Sequence, residues 1–427
     1  MKVILNVDRN IAPNRKKAGD VVELHDEIAL RWIEAGIARY PNSPQVSLKA
    51  GKGALKLNVV CEGLMFGYHG FGEAMRNITY ELYRKGCNVI AKPHDRITDT
   101  SLLKTQKGLT INRLKNNSLN GCKTVHIIMT SPLGVINRGN NYRIGYVMFE
   151  TQETPKVFIH SLMANTDELW VPSKFNFDNF RKAGYTKPIF VMPFGVDIDR
   201  FNPDKVQPFS AELENKFMFL SIMGWSARKG VDILIEAYLR EFSKEDNVLL
   251  YLKGGYYGID KAYSEVKQIQ DKVGKSNPPD IKIDFKIYPE NEFPGLYKSA
   301  NCFVLPSLGE GWGLNYTEAM SMELPTIGTR ATSQIDFMND ENSFLIDVAE
   351  YRPEPKCNWI CPQYVGERFA IPSMEHLQKL MRQVYTDREL AAKKGEQARK
   401  DMVQKWQWKH AANKYFKRLK ELEVILN

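Results

Sequence analysis

The chain has 427 residues, 43% hydrophobic and 26% charged, with a formal net charge of +9. That is enough for two domains with full cores, and no apolar run reaches the ~18 residues that would cross a membrane. The positive charge favours anionic partners, such as a nucleotide, a phosphorylated molecule, a membrane surface or nucleic acid. Six scattered cysteines suit a reducing compartment. Cys357 and Cys361 are close together, but no second Cys or His pair has metal-ligand spacing, so no metal is expected. Met1 to Asp8 is too short and too soon charged for a signal peptide, so a cytoplasmic location is expected.

Residues 1–50 read as a small β-β-α module. An alternating strand runs from Met1 to Val7, a basic turn from Asn14 to Asp20, and a short strand follows at Val21 to Leu24. His25 to Ile37 carries Ile28, Trp32, Ile33 and Ile37 at helical spacing. Oligomerisation or docking is as good a role for it as structural support. Asn42 to Gly53 reads as a linker.

A first Rossmann-like domain is expected over 54–205. Its opening strand, Leu55 to Val60, runs into a glycine-rich turn from Gly63 to Gly72, then a helix to Lys85. Strand, glycine turn and helix make a place for a phosphate or another close ligand. An NAD site is disfavoured, because the next strand, Val89 to Lys92, ends at Pro93 without a carboxylate. His126 lies in the apolar strand Thr124 to Thr130, as a core group or a functional one. Glu150 closes the strand from Gly145, and strand carboxyl ends are where open sheets hold ligands. Asp197-Ile198-Asp199 spells a D-x-D but follows a glycine turn in linker sequence.

A second such domain is expected over 214–395. Strand Phe217 to Ile222 leads to the turn Gly224 to Gly230, whose Arg228 and Lys229 suit a diphosphate. Strand Val248 to Leu252 ends at Lys253. Cys302 to Leu305 reads as a buried strand, Pro306-Ser307 ends it, Gly309 to Gly313 is a turn, and a helix starts at Asn315. Free N–H groups at such a helix start bind anions. Glu310 and Glu318 have seven residues between them. The glycines break any continuous helix, so both carboxylates could face one pocket, where they would accept hydrogen bonds from sugar hydroxyls. Tyr351 to Ile371 is an insertion carrying Pro, Cys and Trp, with a lid as one reading. The chain is helical from Ser373, and residues 396–427 are expected to pack back toward the first domain. Its last helix, near Ala411 to Val424, is basic on its polar side, which leaves a membrane surface as an alternative.

The pattern Pro306-Ser307, Glu310-Gly311, Gly313, Glu318-Ala319-Met320 resembles the signature of family-4 retaining glycosyltransferases, which have the GT-B fold. Trp312 stands where Phe is usual, and Glu323 replaces a frequent glycine. The resemblance covers roughly 55–425. It implies α/β architecture with two Rossmann-like domains facing a cleft. By resemblance Glu310 contacts the transferred sugar and Glu318 the ribose. Lys229 matches the family's phosphate lysine. The arginine usual after the first glycine is Trp225 here, so Arg228 stands in from a shifted position. His126 would lie beside the sugar. Gly70, Gly311, Trp312, Gly313, Leu314, Asn315 and Lys253 would line the donor site, and Glu150 and His69 the acceptor site.

The expected function is metal-independent, retaining transfer of a hexose-type sugar from a UDP- or GDP-sugar to a hydroxyl on a glycan, lipid-linked or protein acceptor. No cofactor is expected beyond the donor. Two rivals stand beside it: a transferase acting on modified DNA bases, and a non-catalytic nucleotide-sugar-binding scaffold. A PLP phosphorylase shares the fold, but no lysine context for that cofactor is found. The location implied is cytoplasmic, with the inner membrane surface as a further site.

Overall fold

The computed structural model describes every residue except 7, 8, 12, 13, 25, 36, 42–54, 68, 98, 99, 137, 138, 210–215, 256, 257 and 358–363. The linker expected at 42–53 lies outside the described residues.

The first domain is built on a six-stranded sheet, ordered Ile189–Val191, Glu168–Val171, Tyr142–Tyr146, Lys123–Met129, Leu57–Gly63 and Asn88–Pro93. All its pairings are parallel. Parallel strands are covered on both faces and so read as near-continuous apolar runs. Leu57, Val59 and Cys61 are fully buried. The second domain repeats the plan with Asp280–Asp284, Val248–Lys253, Phe217–Ile222, Cys302–Leu305, Thr326–Thr329 and Phe344–Ile346, again all parallel. Both domains are Rossmann-like and the architecture is GT-B.

In each sheet the first strand has neighbours on both sides, because successive connections reverse direction there. Leu57–Gly63 lies between Asn88–Pro93 and Lys123–Met129, and Phe217–Ile222 between Val248–Lys253 and Cys302–Leu305. Open sheets form their ligand crevice at this reversal, outside the carboxyl ends of the strands. The glycine turns expected from the sequence leave from those ends.

The chain crosses between domains twice, side by side. Val196 N donates to Trp406 O at 2.8 Å, and Val196 bridges Gln407 in parallel. The last helix, Trp408–Leu426, is longer than expected and lies on the first domain. Its buried Ala411, Ala412, Tyr415, Leu419 and Leu422 form one stripe. Tyr415 stacks on Trp170 at 5.4 Å and donates to Pro193 O at 2.5 Å. Arg418 Nη2 lies 2.6 Å from Glu168 Oε2, whose side chain is fully buried. The apolar stripe is therefore spent inside the protein, which removes the reason for laying it on a membrane. Tyr415→Phe leaves the Pro193 carbonyl buried without this donor, a loss of about 2 kcal/mol. It should appear as a lowered Tm with unchanged far-UV circular dichroism.

The amino-terminal module has a three-stranded antiparallel sheet, Val21–Glu23, Lys2–Leu5 and Ala38–Arg39, with helix Asp26–Glu34. Two expectations need correction. Asn14–Lys16 is not turn but one arm of a separate hairpin with Arg9–Ile11. That arm has no apolar alternation to announce it. Ile37 lies beyond the helix, and the strand Ala38–Arg39 follows. The module's apolar face closes on Leu103 and Leu109 of the first domain. Asn112 Nδ2 also donates to Ile33 O at 2.6 Å.

The 351–371 insertion is carried on a two-stranded antiparallel arm, Val348–Pro353 with Arg368–Pro372, which begins and ends just outside those bounds. It leaves the second sheet and reaches the first domain.

Candidate active site

The turn after Cys302–Leu305 owes its glycines to close neighbours. A Cβ on Gly309 would lie 2.2 Å from Glu150 O, and one on Gly311 2.6 Å from Met148 Cγ. Gly313 has φ 102, where other residues are strained, and caps the helix Leu314–Ser321. The stretch after strand Tyr142–Tyr146 thus rests directly on the turn, and Glu150 lies beyond the strand that it was expected to close. Asn176, fully buried in the first domain, donates to Gly311 O at 3.2 Å and Ser333 Oγ at 2.9 Å.

The turn after Phe217–Ile222 lies alongside. Gly230 has φ 65, and a Cβ there would meet Pro306 O at 2.1 Å. Lys229 Nζ donates to Glu310 Oε1 at 2.5 Å. Arg228 Nη1 donates to Gly309 O at 2.5 Å and lies 3.8 Å from Glu310 Oε2, while Nη2 lies 3.7 Å from Glu150 Oε1. Burial works to raise the Glu310 carboxyl, but Lys229 and Arg228 overcome it and hold the group below the usual carboxylate range. Arg228 is also buried, yet Glu150 and Glu310 keep it charged. Two carboxylates and two cations from both domains thus meet over the crevice, already neutralising one another.

Glu318 lies one turn into the helix, in different company. Tyr297 donates to its Oε2 at 2.6 Å. Burial pushes its carboxyl up to about 7; Tyr297 and Arg200 pull against this, and Glu73 adds to it. Arg200 is itself held by Glu290 at 3.3 Å and by Glu73 at 3.5 Å, the latter in the first turn of helix Gly70–Arg84. Glu310 and Glu318 therefore flank the start of helix Leu314–Ser321 rather than sharing partners. Gly70 faces that start: a Cβ on it would be 3.8 Å from Leu314 Cδ1.

Several predicted residues are engaged differently. Trp312 is 2% exposed and packs against Phe337 at 5.0 Å, Trp406 at 5.5 Å and Phe194 at 6.1 Å. Its side chain belongs to the core beneath the crossing segments, not to a donor surface. Asn315 Nδ2 is spent on Ile222 O at 2.5 Å. His69 caps helix Gly70–Arg84, with Nδ1 accepting from Gly72 N at 3.0 Å. Lys253 Nζ donates to Gly254 O at 2.7 Å. Burial lowers its pKa. Trp225, at the usual arginine place, is 2% exposed, with Nε1 donating to Glu265 Oε2 at 2.6 Å.

His126 is not brought to the glycine turn. It sits three residues before the end of its strand, with Nε2 2.8 Å from Glu62 Oε2. His94 Nε2 takes the other oxygen of Glu62 at 2.9 Å. Hydrogen bonding to His126 is the largest influence holding the Glu62 carboxyl at about 2. Strand alternation carries this histidine to a sheet face, where Arg143 and Asn141 line a small cavity with it. Asp197 pairs with Lys107 at 3.1 Å and Asp199 with Lys205 at 3.2 Å, so the D-x-D is divided between two separate ion pairs.

Sequence reasoning missed Asp95, Arg200, Asn176 and Tyr364. Asp95 has a marked effect on the first glycine turn, because it accepts from Met65 N at 2.8 Å, Phe66 N at 2.8 Å and Gly67 N at 2.7 Å. Those amides hold a protein carboxylate where a phosphate was expected. The only signal was its place just beyond Pro93.

Residues 214–353 match the family described as Glycosyl transferases group 1. Over that segment the chain is similar to a glycosyltransferase domain of that group. It is 30% identical over 150 residues to the mannosylfructose-phosphate synthase of Agrobacterium fabrum (strain C58 / ATCC 33970), covering 34% of this chain and 33% of that protein. It is 24% identical over 249 residues to a probable sucrose-phosphate synthase of Thermosipho melanesiensis, covering 56% of this chain and 48% of that one. The chain thus spans between a third and a half of these curated relatives. The crystal structure of Anabaena Alr3699/HepE in complex with UDP superposes with a TM-score of 0.61 over 86% of this chain and all of that chain, at 14% identity. That likeness is one of fold. The matched segment holds Lys229, Glu310 and Glu318, so both turns of the crevice fall within it.

Proposed function

We propose that this protein is a retaining glycosyltransferase that moves a hexose-type sugar from a UDP- or GDP-sugar to a hydroxyl of a glycan, lipid-linked or protein acceptor. One observation carries the reading. Lys229 Nζ meets Glu310 at 2.5 Å over the start of helix Leu314–Ser321, joining the two turns of the reversal point. A cation beside free helical amides suits a diphosphate. A neighbour in fold was solved with UDP, which supports a nucleotide as ligand.

In this mechanism the donor's anomeric C–O bond breaks, and its electron pair leaves with the diphosphate. Lys229 and the helix N-terminus stabilise that charge, and the transition state resembles an oxocarbenium ion. The acceptor oxygen bonds to the anomeric carbon on the face the diphosphate leaves, and its proton passes to the departing phosphate oxygen. Glu310 holds sugar hydroxyls and Glu318 those of the ribose. The cations and helix dipole supply the positive charge, so no metal is invoked.

A second reading rests on Trp225, buried at the usual arginine place: the protein binds a nucleotide sugar without cleaving it. One experiment separates the two. UDP, GDP and ADP are screened by thermal shift, then their glucose and mannose derivatives are assayed for sugar release. A nucleotide at ~100 times its Kd adds about 2.7 kcal/mol. Binding with sugar release supports transfer, binding without release supports the scaffold, and no binding removes both.

A further inference from the structure

The arm formed by Val348–Pro353 and Arg368–Pro372 belongs to the second domain by sequence, yet it also touches the first. Arg368 O accepts from Gln152 N at 2.9 Å, and the Arg368 side chain pairs with Glu153. Ala370 N donates to Leu308 O at 3.1 Å, beside the glycine turn. Tyr364, carried in front of the returning strand, is 5% exposed and packs against Phe149 and Phe369, each at 5.2 Å. Its hydroxyl donates to Glu150 Oε2 at 2.8 Å. Arg228 lies 3.7 Å from the other oxygen of that carboxylate.

Glu150 is therefore held from both sides by the second domain. A carboxylate has about four acceptor positions. Tyr364 occupies one, and Arg228 stands at the edge of reach of another. The remaining lone pairs can accept from a sugar-type hydroxyl. The backbone of Glu150 lies directly on Gly309, one residue from Glu310, so a hydroxyl bound there stands beside the sugar-holding carboxylate.

We propose that the arm completes the acceptor site, with Tyr364 as the positioning residue that aims the Glu150 carboxylate at the hydroxyl of a polyhydroxylated acceptor. This rests on the function proposed above and adds to it the element that orients the nucleophile. No bond is made by Tyr364 or Glu150. They set the direction from which the oxygen approaches, and small errors of placement at this step are costly in rate.

The test uses the full chain. Tyr364→Phe keeps the ring packing and removes only the hydroxyl. Glu150→Gln keeps the volume and removes the charge. Each variant, and the double variant, is measured for UDP and GDP affinity and for sugar transfer from the matching nucleotide sugar to free glucose as the probe acceptor. Tyr364→Phe should leave nucleotide affinity and donor KM within about twofold and lower kcat about tenfold. Glu150→Gln should fall at least as far, and the double variant no further than the worse single one, because the two residues act as a unit. Wild-type kcat in Tyr364→Phe, a rise in donor KM instead of a fall in kcat, or losses that multiply in the double variant would overturn the inference. A wild-type protein that binds nucleotide but releases no sugar from any donor would instead remove the transferase reading itself.

Discussion

Lys229→Met is expected to lower sugar release by a factor of about 10² to 10³, the usual cost of removing one preorganised donor to a developing charge. The ammonium is the one cation of the turn whose hydrogen bond ends on the Glu310 carboxylate. Arg228 cannot replace it, because its Nη1 is committed to Gly309 O and its Nη2 faces Glu150. The loss should be selective. UDP affinity should fall well below wild type while uridine affinity changes little, since uridine lacks the phosphates. Equal losses for both ligands would mean that the variant had damaged the crevice in general. Stability should change as well. The Glu310 carboxyl is depressed in the folded protein, so it stabilises above its unfolded pKa, and that contribution is lost as pH falls through the folded value. Without Lys229 the depression shrinks, and the variant should show a smaller gain in Tm between pH 4 and pH 7.

Glu318→Gln should abolish detectable transfer and weaken UDP binding by about 10 to 100-fold, the worth of hydrogen bonds to a charged group. It should also change the pH profile in the opposite sense to Lys229→Met. Glu318 is raised from 4.5 to about 7, with burial as the main cause. The folded state keeps a proton that the unfolded state releases, so wild-type stability declines as pH rises from about 4.5 to 7. This decline amounts to about 3 kcal/mol over the window. Glutamine has no proton to lose, so relative to wild type the variant should be more stable at pH 8 than at pH 5. If ribose hydroxyls donate to Glu318, UDP binding to wild type near pH 7 should release a proton. Calorimetry in buffers of different ionisation heat measures that release, and its absence in wild type would place the ribose elsewhere.

How much could be read from the sequence depended on distance along the chain. Cys302–Leu305, its glycine turn and the following helix are contiguous, and each step has a local cause: an apolar run, a proline stop, glycines, a helix start. Lys229 and Glu310 were legible as members of two such turns, and sheet topology then set the turns side by side. Trp312 was misassigned because its position in the motif says nothing about its neighbours Phe337 and Trp406, which arrive from elsewhere in the chain. His126 was misplaced by reading it at a strand end, when alternation within the strand turns it to Glu62. Asp95, which fills the amides of the first glycine turn, acts across 28 to 30 residues of chain. The arm had no readable period, since Val348–Pro353 is largely exposed and pairs only with Arg368–Pro372.

The doubled crossing has a consequence for synthesis. The second domain is one uninterrupted stretch, from the strand at Phe217 to the helix ending at Lys405. The first domain is not: Tyr146, Trp170 and Glu168 wait for Tyr415 and Arg418, the last of them 250 residues beyond Glu168. As a nascent chain leaves the ribosome, the part begun second is able to finish first. The part begun first stays open along one side until the helix Trp408–Leu426 has emerged.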